Sequence, residues 1–258
     1  MDQLRIPDLA GKAVLVTGAS TGIGAALAKA LGRQGARVAV HYNRSEAEAR
    51  EVAAAIAEAG AEAWTVAGDV SDATTAGRVV AQAAERFGRL DGLVNNAGAL
   101  VKRTPIEEVT DEFYDTVLDL NVRSVVAACR AAIPIMRRQG GGVIVNTSSI
   151  AARNGGGPGS GLYASSKAFV SNLTRGLAKE LAKDRIRVNA VSPGVILTPF
   201  HERFSTPEQI AAQTAAIPMG RAGAAEDCVG AYLFLLSEAL SGYVTGQILE
   251  VNGGQLMP

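Results

Sequence analysis

The sequence predicts a doubly wound α/β fold, a seven-stranded parallel sheet with helices on both faces. Three observations carry that prediction. Short β-branched runs alternate with Ala-rich segments of 3.6-residue period along the chain, the pattern of right-handed βαβ units. The first run leads straight into three glycines and a helix-like stretch, Thr17-Gly18-Ala19-Ser20-Thr21-Gly22-Ile23-Gly24. A chain of 258 residues, 48% hydrophobic and without linker, low-complexity stretch or repeat, suits a single domain over 1–258.

Taken in order, the strand candidates are residues 13–17, 37–42, 62–67, 92–95, 142–148, 186–192 and 248–251. Several are almost wholly apolar, as strands covered on both faces are. Helix candidates lie between them at 22–34, 46–59, 73–87, 111–139, 163–183 and 225–237. Pro134 falls inside 111–139 and predicts a kink or break there, because proline lacks an amide donor and crowds the preceding turn. Ligands of such a sheet bind beyond the carboxyl ends of the strands, where strand order reverses.

Composition narrows the partners. The 25 basic and 25 acidic residues balance, which points away from nucleic acid and anionic membranes. Cys129 and Cys228 sit in apolar helical contexts and read as small buried hydrophobes in a reducing compartment. With His41 and His201 the only histidines, no metal-ligand cluster is expected. The N-terminal residues lack a signal-like apolar core, and no run approaches membrane-spanning length. The expectation is a soluble cytoplasmic protein without metal.

The glycine-rich turn after the first strand lets backbone approach a pyrophosphate at a helix N-terminus. Its spacing, Gly-x-x-x-Gly-x-Gly over Gly18, Gly22 and Gly24, differs from the commonest dinucleotide fingerprint. The second strand ends at Val40-His41-Tyr42-Asn43-Arg44-Ser45, and no Asp or Glu lies between Gly18 and Ser45. An NAD site places an acid there to hold the ribose 2′-hydroxyl. Arg44 and Ser45 instead offer a cation and a hydroxyl to a 2′-phosphate, which predicts a preference for NADP(H) with NAD(H) possible. Arg44 is equally readable as a solvated charge, and Ser45 as the cap of the helix opening at Glu46. Asp69 and Val70 end the third strand, where Asp69 can accept from an adenine amine; it is also readable as a turn residue, with Ser71 as a helix cap. Asn95-Asn96-Ala97-Gly98 closes the fourth, its amides bracing the loop and its small residues thinning the wall.

Tyr163 and Lys167 stand one turn apart on a single helix face. A free phenol titrates near ~10, and a fixed ammonium nearby favours phenolate. Bringing the phenol to about 7 takes roughly 3 pKa units, about 4 kcal/mol. The result is a proton donor and acceptor poised for general acid–base catalysis. Two surface neighbours have the same spacing, so the pair gains weight from the motifs before it.

With residues 17–24, Asp69, Asn95-Asn96-Ala97-Gly98, Asn121, Ser148-Ser149, Tyr163-x-x-x-Lys167 and Ser192-Pro193-Gly194 in this order, the sequence resembles the short-chain dehydrogenase/reductase family. The resemblance extends to Val251-Asn252-Gly253-Gly254. It implies a Rossmann domain whose cofactor contacts include Gly18, Ser20, Thr21, Gly22, Ile23, Gly24, His41, Pro193, Gly194, Ile196 and Thr198. It further implies that Tyr163 protonates a carbonyl oxygen as hydride arrives, that Lys167 holds the nicotinamide ribose, and that Ser149 hydrogen-bonds the same oxygen. Asn121 would anchor a relay water, and Thr198 would fix the carboxamide. Ser149 precedes Tyr163 by fourteen positions where the family usually has thirteen, which keeps Ser148 as a lesser candidate.

For the substrate, a small carbonyl or alcohol, the sequence offers Lys102 and Arg103 after the fourth-strand loop and Arg153 between Ser149 and Tyr163. Three cations at one mouth suit a carboxylate; solvated surface charges look the same. A lid at about 197–218 carries His201, a contact or a rim residue. Segments 96–101, 155–163 and 217–221 are similar to reductases of the alginate-derived 4-deoxy-5-hexoseulose uronate, which make 2-keto-3-deoxygluconate. The 3-oxoacyl carrier-protein reductases and other sugar dehydrogenases share the same core and form the alternative. A non-catalytic NADP(H) sensor is the remote one, since such proteins lack the Tyr or the Lys. The family also suggests a homotetramer built on the helices after Asp111 and Tyr163; the Ala- and Val-rich face of 121–136 suits that contact or packing within its own subunit.

Overall fold

In the computed structural model, residues 5–257 are described, without the side chains of residues 201–203. The first strand, β1 (Ala13–Val16), is wholly buried in the interior of the sheet. The chain winds outward through α1 (Gly22–Arg33), β2 (Arg37–Tyr42), α2 (Glu46–Glu58) and β3 (Ala63–Ala67). It then crosses back through α3 (Ala73–Phe87) to β4 (Gly92–Asn95), which pairs with the free side of β1. From there α4 (Asp111–Leu118), α5 (Ser124–Arg138), β5 (Gly142–Thr147), the short α6 (Ala151–Asn154), α7 (Gly161–Leu181) and β6 (Ile186–Pro193) extend the other half. A two-stranded parallel ribbon, β7 (Ile196–Leu197) and β8 (Gly223–Ala224), brackets α8 (Pro199–Phe204) and α9 (Pro207–Ala215). Helices α10 (Ala225–Leu236) and α11 (Glu238–Ser241) lead to β9 (Ile248–Val251).

The seven-stranded sheet has the order β3-β2-β1-β4-β5-β6-β9, parallel throughout. Strand order therefore reverses between β1 and β4. Successive side chains of a strand point to opposite faces, and β1 divides accordingly. Val14 and Val16 join Leu27, Leu31 and Tyr232 under α1 and α10. Leu15 joins Val79, Val80, Met136 and Leu181 under α3, α5 and α7. Each fully buried leucine contributes roughly 1.5–3 kcal/mol by leaving water, which fixes the strand ends that carry the site.

One element departs from expectation. The helix predicted over 111–139 is interrupted at Asp119–Arg123 by a π-turn, whereas α5 runs through Pro134. Pro134 and Arg130, whose carbonyl the missing amide would have bonded, are both exposed, so the lost bond falls on the solvent side of the helix, where it costs least. The π-turn instead places Asn121 in the interior.

Candidate active site

A cleft of about 990 Å³ opens at the carboxyl ends of β1, β4, β5 and β6. Its first wall is the glycine-rich turn. Gly18 has φ +62° and a Cβ there would lie 3.1 Å from Ala97 Cα. A Cβ on Gly24 would collide with the Gly18 carbonyl and lie 2.6 Å from Asn96 Nδ2. Thr17 Oγ1 accepts from Asn96 N and Ala97 N, each at 3.0 Å, and Asn96 Nδ2 donates to Thr17 O and Gly18 O at 2.9 and 3.0 Å. Asn96 thus braces the turn. Asn95 points below it, donating to Asn146 Oδ1 at 2.9 Å. Asn95 is buried away from the cleft lining, which corrects its assignment to the cofactor; position 95 belongs to the strand, and its neighbour turns outward.

His41, Asn43, Arg44, Ser45, Asp69 and Val70 line the far end of the cleft with Ser20, Thr21, Gly22 and Ile23. Ser45 occupies the N-cap position of α2 without a capping bond from its side chain, so the capping reading fails. Asp72, not Ser71, caps α3 by accepting from Thr75 N. Asp69 accepts from Ser71 N and Oγ at 3.0 and 2.6 Å. That hydroxyl is the largest influence holding its carboxyl below the usual range, with Asn43 and Arg44 adding to it.

At the near end lie Ser149, Tyr163, Lys167, Pro193, Gly194, Ile196 and Thr198. Ser148 is 2% exposed, and its hydroxyl is engaged with Lys167 O at 3.2 Å and Ser171 Oγ at 2.6 Å. Both serines line the cleft, but the Ser148 hydroxyl is spent on these partners, whereas Ser149 hydrogen-bonds Tyr163. Lys167 is 3% exposed and its Nζ donates to Thr147 O at 2.9 Å, 5.8 Å from the centre of the Tyr163 ring. Asn121 is fully buried: Nδ2 donates to Ala99 O and Val117 O, both 2.9 Å, and Oδ1 accepts from Ala99 N at 3.1 Å. A Cβ on Gly98 would meet Asn121 Oδ1 at 2.7 Å and Lys167 Nζ at 2.9 Å, so this glycine lets the two side chains converge.

The electrostatics correct an expectation. Burial pushes the Tyr163 phenol up to about 12, against the opposing hydrogen bond from Ser149. Burial also lowers the Lys167 ammonium to about 8. Desolvation of the phenolate is the largest influence on the tyrosine, and the neighbouring lysine is itself desolvated. The pair thus rests as a neutral phenol beside an ammonium that stays charged at neutral pH, the state a proton donor needs.

The cations predicted at the mouth do not assemble. Lys102 is exposed and outside the lining. Arg153 pairs with Glu250 at 3.1 Å on β9, also outside it. Arg103 does line the cleft, but its Nε donates to Phe204 O at 3.0 Å and Nη1 to Pro158 O at 3.1 Å. It fastens α8 to the loop before α7. The side chain of His201 lies outside the described residues. In place of cations the lining carries Asn154, Gln213 and Gln255, with the Gln255 amide oxygen buried and unpartnered. Sequence reading missed the two glutamines; the signal was Gly253-Gly254 after the last strand, whose φ values of +63° and +85° turn the chain back to the cleft. It also missed Val101, a β-branched residue at φ +67° in the lining, strain that clusters at functional sites. Phe200 packs 5.9 Å from the Tyr163 ring and covers it.

A parallel sheet reversing at a glycine-rich turn, with Ser, Tyr and Lys at the near end, defines a dinucleotide-dependent oxidoreductase. The glycine cradle, closed to any side chain at positions 18, 24 and 98, fits that cofactor. Residues 18–255 match the family model described as Enoyl-(Acyl carrier protein) reductase, and the chain belongs to the short-chain dehydrogenase/reductase family. It is an NAD(P)(H)-dependent enzyme of alcohols and carbonyls. The chain is 43% identical over 252 residues to 3beta-hydroxysteroid dehydrogenase 1 of Eggerthella lenta, covering 97% of this chain and 95% of that one. It is 37% identical over 248 residues to the 3-oxoacyl-[acyl-carrier-protein] reductase FabG of Staphylococcus aureus, covering 95% and 98%. Among solved structures, the NADH-dependent reductase A1-R′ responsible for alginate metabolism is 41% identical with a TM-score of 0.89, covering 98% and 100%. Among the described residues no helix is long and apolar enough to cross a membrane, and no group of three or more His, Cys, Asp or Glu could hold a metal ion.

Proposed function

We propose that the protein is an NADP(H)-preferring reductase of a small, polar sugar acid such as 4-deoxy-5-hexoseulose uronate, which it converts to 2-keto-3-deoxygluconate. The observation that carries this reading is the set of amide side chains in the cleft lining, Asn154, Gln213 and Gln255. Amide side chains pair with sugar hydroxyls, whereas an alkyl chain that covers them leaves each polar group unpaired at about 1–3 kcal/mol. The likeness to an alginate-metabolism reductase supports the same substrate. The match to FabG keeps a 3-oxoacyl thioester as the second reading.

The glycine-rich turn and the N-terminus of α1 hold the pyrophosphate, Asp69 and Val70 the adenine, and Arg44 and Ser45 the 2′-phosphate. Tyr163 and Lys167 hold the nicotinamide ribose, and Pro193, Gly194, Ile196 and Thr198 flank the ring. When bound, the reduced nicotinamide supplies hydride to the carbonyl carbon. Tyr163 gives its proton to the carbonyl oxygen, and Ser149 hydrogen-bonds that oxygen as its charge grows. Lys167, held by Thr147 O, stabilises the phenolate that results. Asn121 braces the loop beside Lys167, with acceptor capacity left on Oδ1 for a relay water. The segment 197–218 acts as a lid, with Phe200 excluding water. Exposed Tyr114, Val126 and Phe169, and Tyr243 and Met257 at the other end, supply two apolar faces for a cytoplasmic homotetramer, measurable by light scattering.

A panel of the keto-uronate, acetoacetyl thioester and simple sugars with NADPH tests the substrate; turnover of the thioester alone overturns it. Equal or better KM for NADH than for NADPH overturns the cofactor preference.

A further inference from the structure

His41 stands 1% exposed at the end of β2, where its two ring nitrogens face two different loops. Gly18 N donates to Nδ1 at 3.0 Å, and Nε2 lies 3.0 Å from Gly68 O. A carbonyl can only accept, and an amide N–H can only donate. The pair therefore fixes the neutral tautomer with the proton on Nε2. The adjoining backbone strengthens the tie, since Ala19 N donates to His41 O at 2.8 Å. The amide of Gly18 is thus held by His41 while its carbonyl is held by Asn96 at 3.0 Å, so both halves of the left-handed residue in the turn are anchored.

We propose that His41 is a positioning residue for the dinucleotide, acting through Gly18, and that its protonation disarms the glycine-rich turn. An imidazolium carries N–H on both nitrogens. Nδ1–H would then face Gly18 N–H, two donors in opposition, and the turn would lose the bond that sets its register against β2. Burial already holds the imidazole below its ordinary value, with the Gly68 carbonyl and the charge of Asp69 acting the other way. Among the described residues the charged groups bearing on it are Asp69, beyond β3, and, through Asp69, Arg44 beyond β2; the glycine-rich turn contributes none.

The linkage has a definite sign. The cofactor binds the form with neutral His41, so affinity is full above the His41 titration and falls as pH drops through it. By reciprocity, bound cofactor shifts that titration to lower pH. NADH is the probe, because it lacks the 2′-phosphate, whose second ionisation near pH ~6 would confuse the profile.

The experiment measures NADH dissociation constants by fluorescence between pH 5 and 8, alongside ¹⁵N imidazole spectra of the full chain. With only two histidines in the sequence, His201→Gln assigns the signals. The expected result is an Nε2–H tautomer for His41 at pH 7.5 and affinity about three- to tenfold weaker once His41 is protonated, the consequence of one hydrogen bond. His41→Asn, which keeps an acceptor near Nδ1 and does not titrate, should flatten the profile. Should that variant fold poorly, the wild-type spectra and the cofactor-induced shift decide alone. An Nδ1–H tautomer, or NADH affinity unchanged across the His41 titration, overturns the proposal.

Discussion

Gly98→Ala adds a single methyl group and tests the convergence of Asn121 and Lys167. Its Cβ would stand 2.7 Å from Asn121 Oδ1 and 2.9 Å from Lys167 Nζ, against about 3.5 Å for an ordinary contact. Both contacts must open by more than half an ångström. Asn121 is fixed by three hydrogen bonds, two of them to Ala99, the residue joined to Gly98. Lys167 Nζ has one, to Thr147 O at 2.9 Å, so the ammonium moves the more readily, while the Asn121 contact is relieved only by a shift of the loop that holds it. Overpacking of this kind costs about 1–3 kcal/mol in stability. A displacement of about half an ångström at a catalytic group should cost roughly ten- to a hundredfold in kcat. Gly98 does not have a positive φ, so alanine adds no backbone strain and the effect is purely steric. The assay is kcat under saturating NADPH and carbonyl, with melting temperature in parallel. A variant within twofold of wild-type kcat would refute the placement of Lys167 against the Gly98 backbone.

Tyr163→Phe should lower kcat by about 10²–10⁴, the scale of general acid catalysis, and leave NADPH affinity within a few-fold; titration with NADPH and a turnover assay check both. Lys167→Met should abolish activity yet raise stability near pH 7. Burial lowers the amine to about 8, from the 10.5 of a free lysine, so the unfolded chain binds more protons between those values. The stabilisation, at most about 3 kcal/mol and reduced by leaving Thr147 O unpaired, is therefore fullest below about pH 8 and shrinks as pH rises, which melting curves of both proteins from pH 7 to 10 would show. Arg103→Ala should release Phe204 and Pro158 carbonyls and raise carbonyl KM about fivefold or more with NADPH affinity unchanged; an unaltered KM would remove Arg103 from the lid.

Local signals were sufficient where one residue type has one physical use. Glycines at 18 and 24 announced a backbone that tolerates no side chain, and the alternation of apolar runs announced a parallel sheet. Pro134 misled because its cost depends on whether the turn it interrupts is buried, and Arg130 and Pro134 both lie on the exposed face of α5. Position 95 misled because strand parity, not residue type, decides whether an amide faces the cleft or Asn146.

The sequence by itself determined the fold and the strand-end placement of the turn, because these follow from periodicity and spacing within single elements, and it placed Tyr163 and Lys167 one turn apart on a helix; the roles of Ser149, Tyr163 and Lys167 came from the ordered set of motifs that the chain shares with its family. Only the tertiary structure decided that Arg103 and Arg153 are spent on Phe204, Pro158 and Glu250, that Gln255 reaches the cleft, and that burial raises the tyrosine rather than lowering it. Those outcomes depend on which groups from distant segments meet and how much water remains between them, and spacing along the chain carries neither quantity.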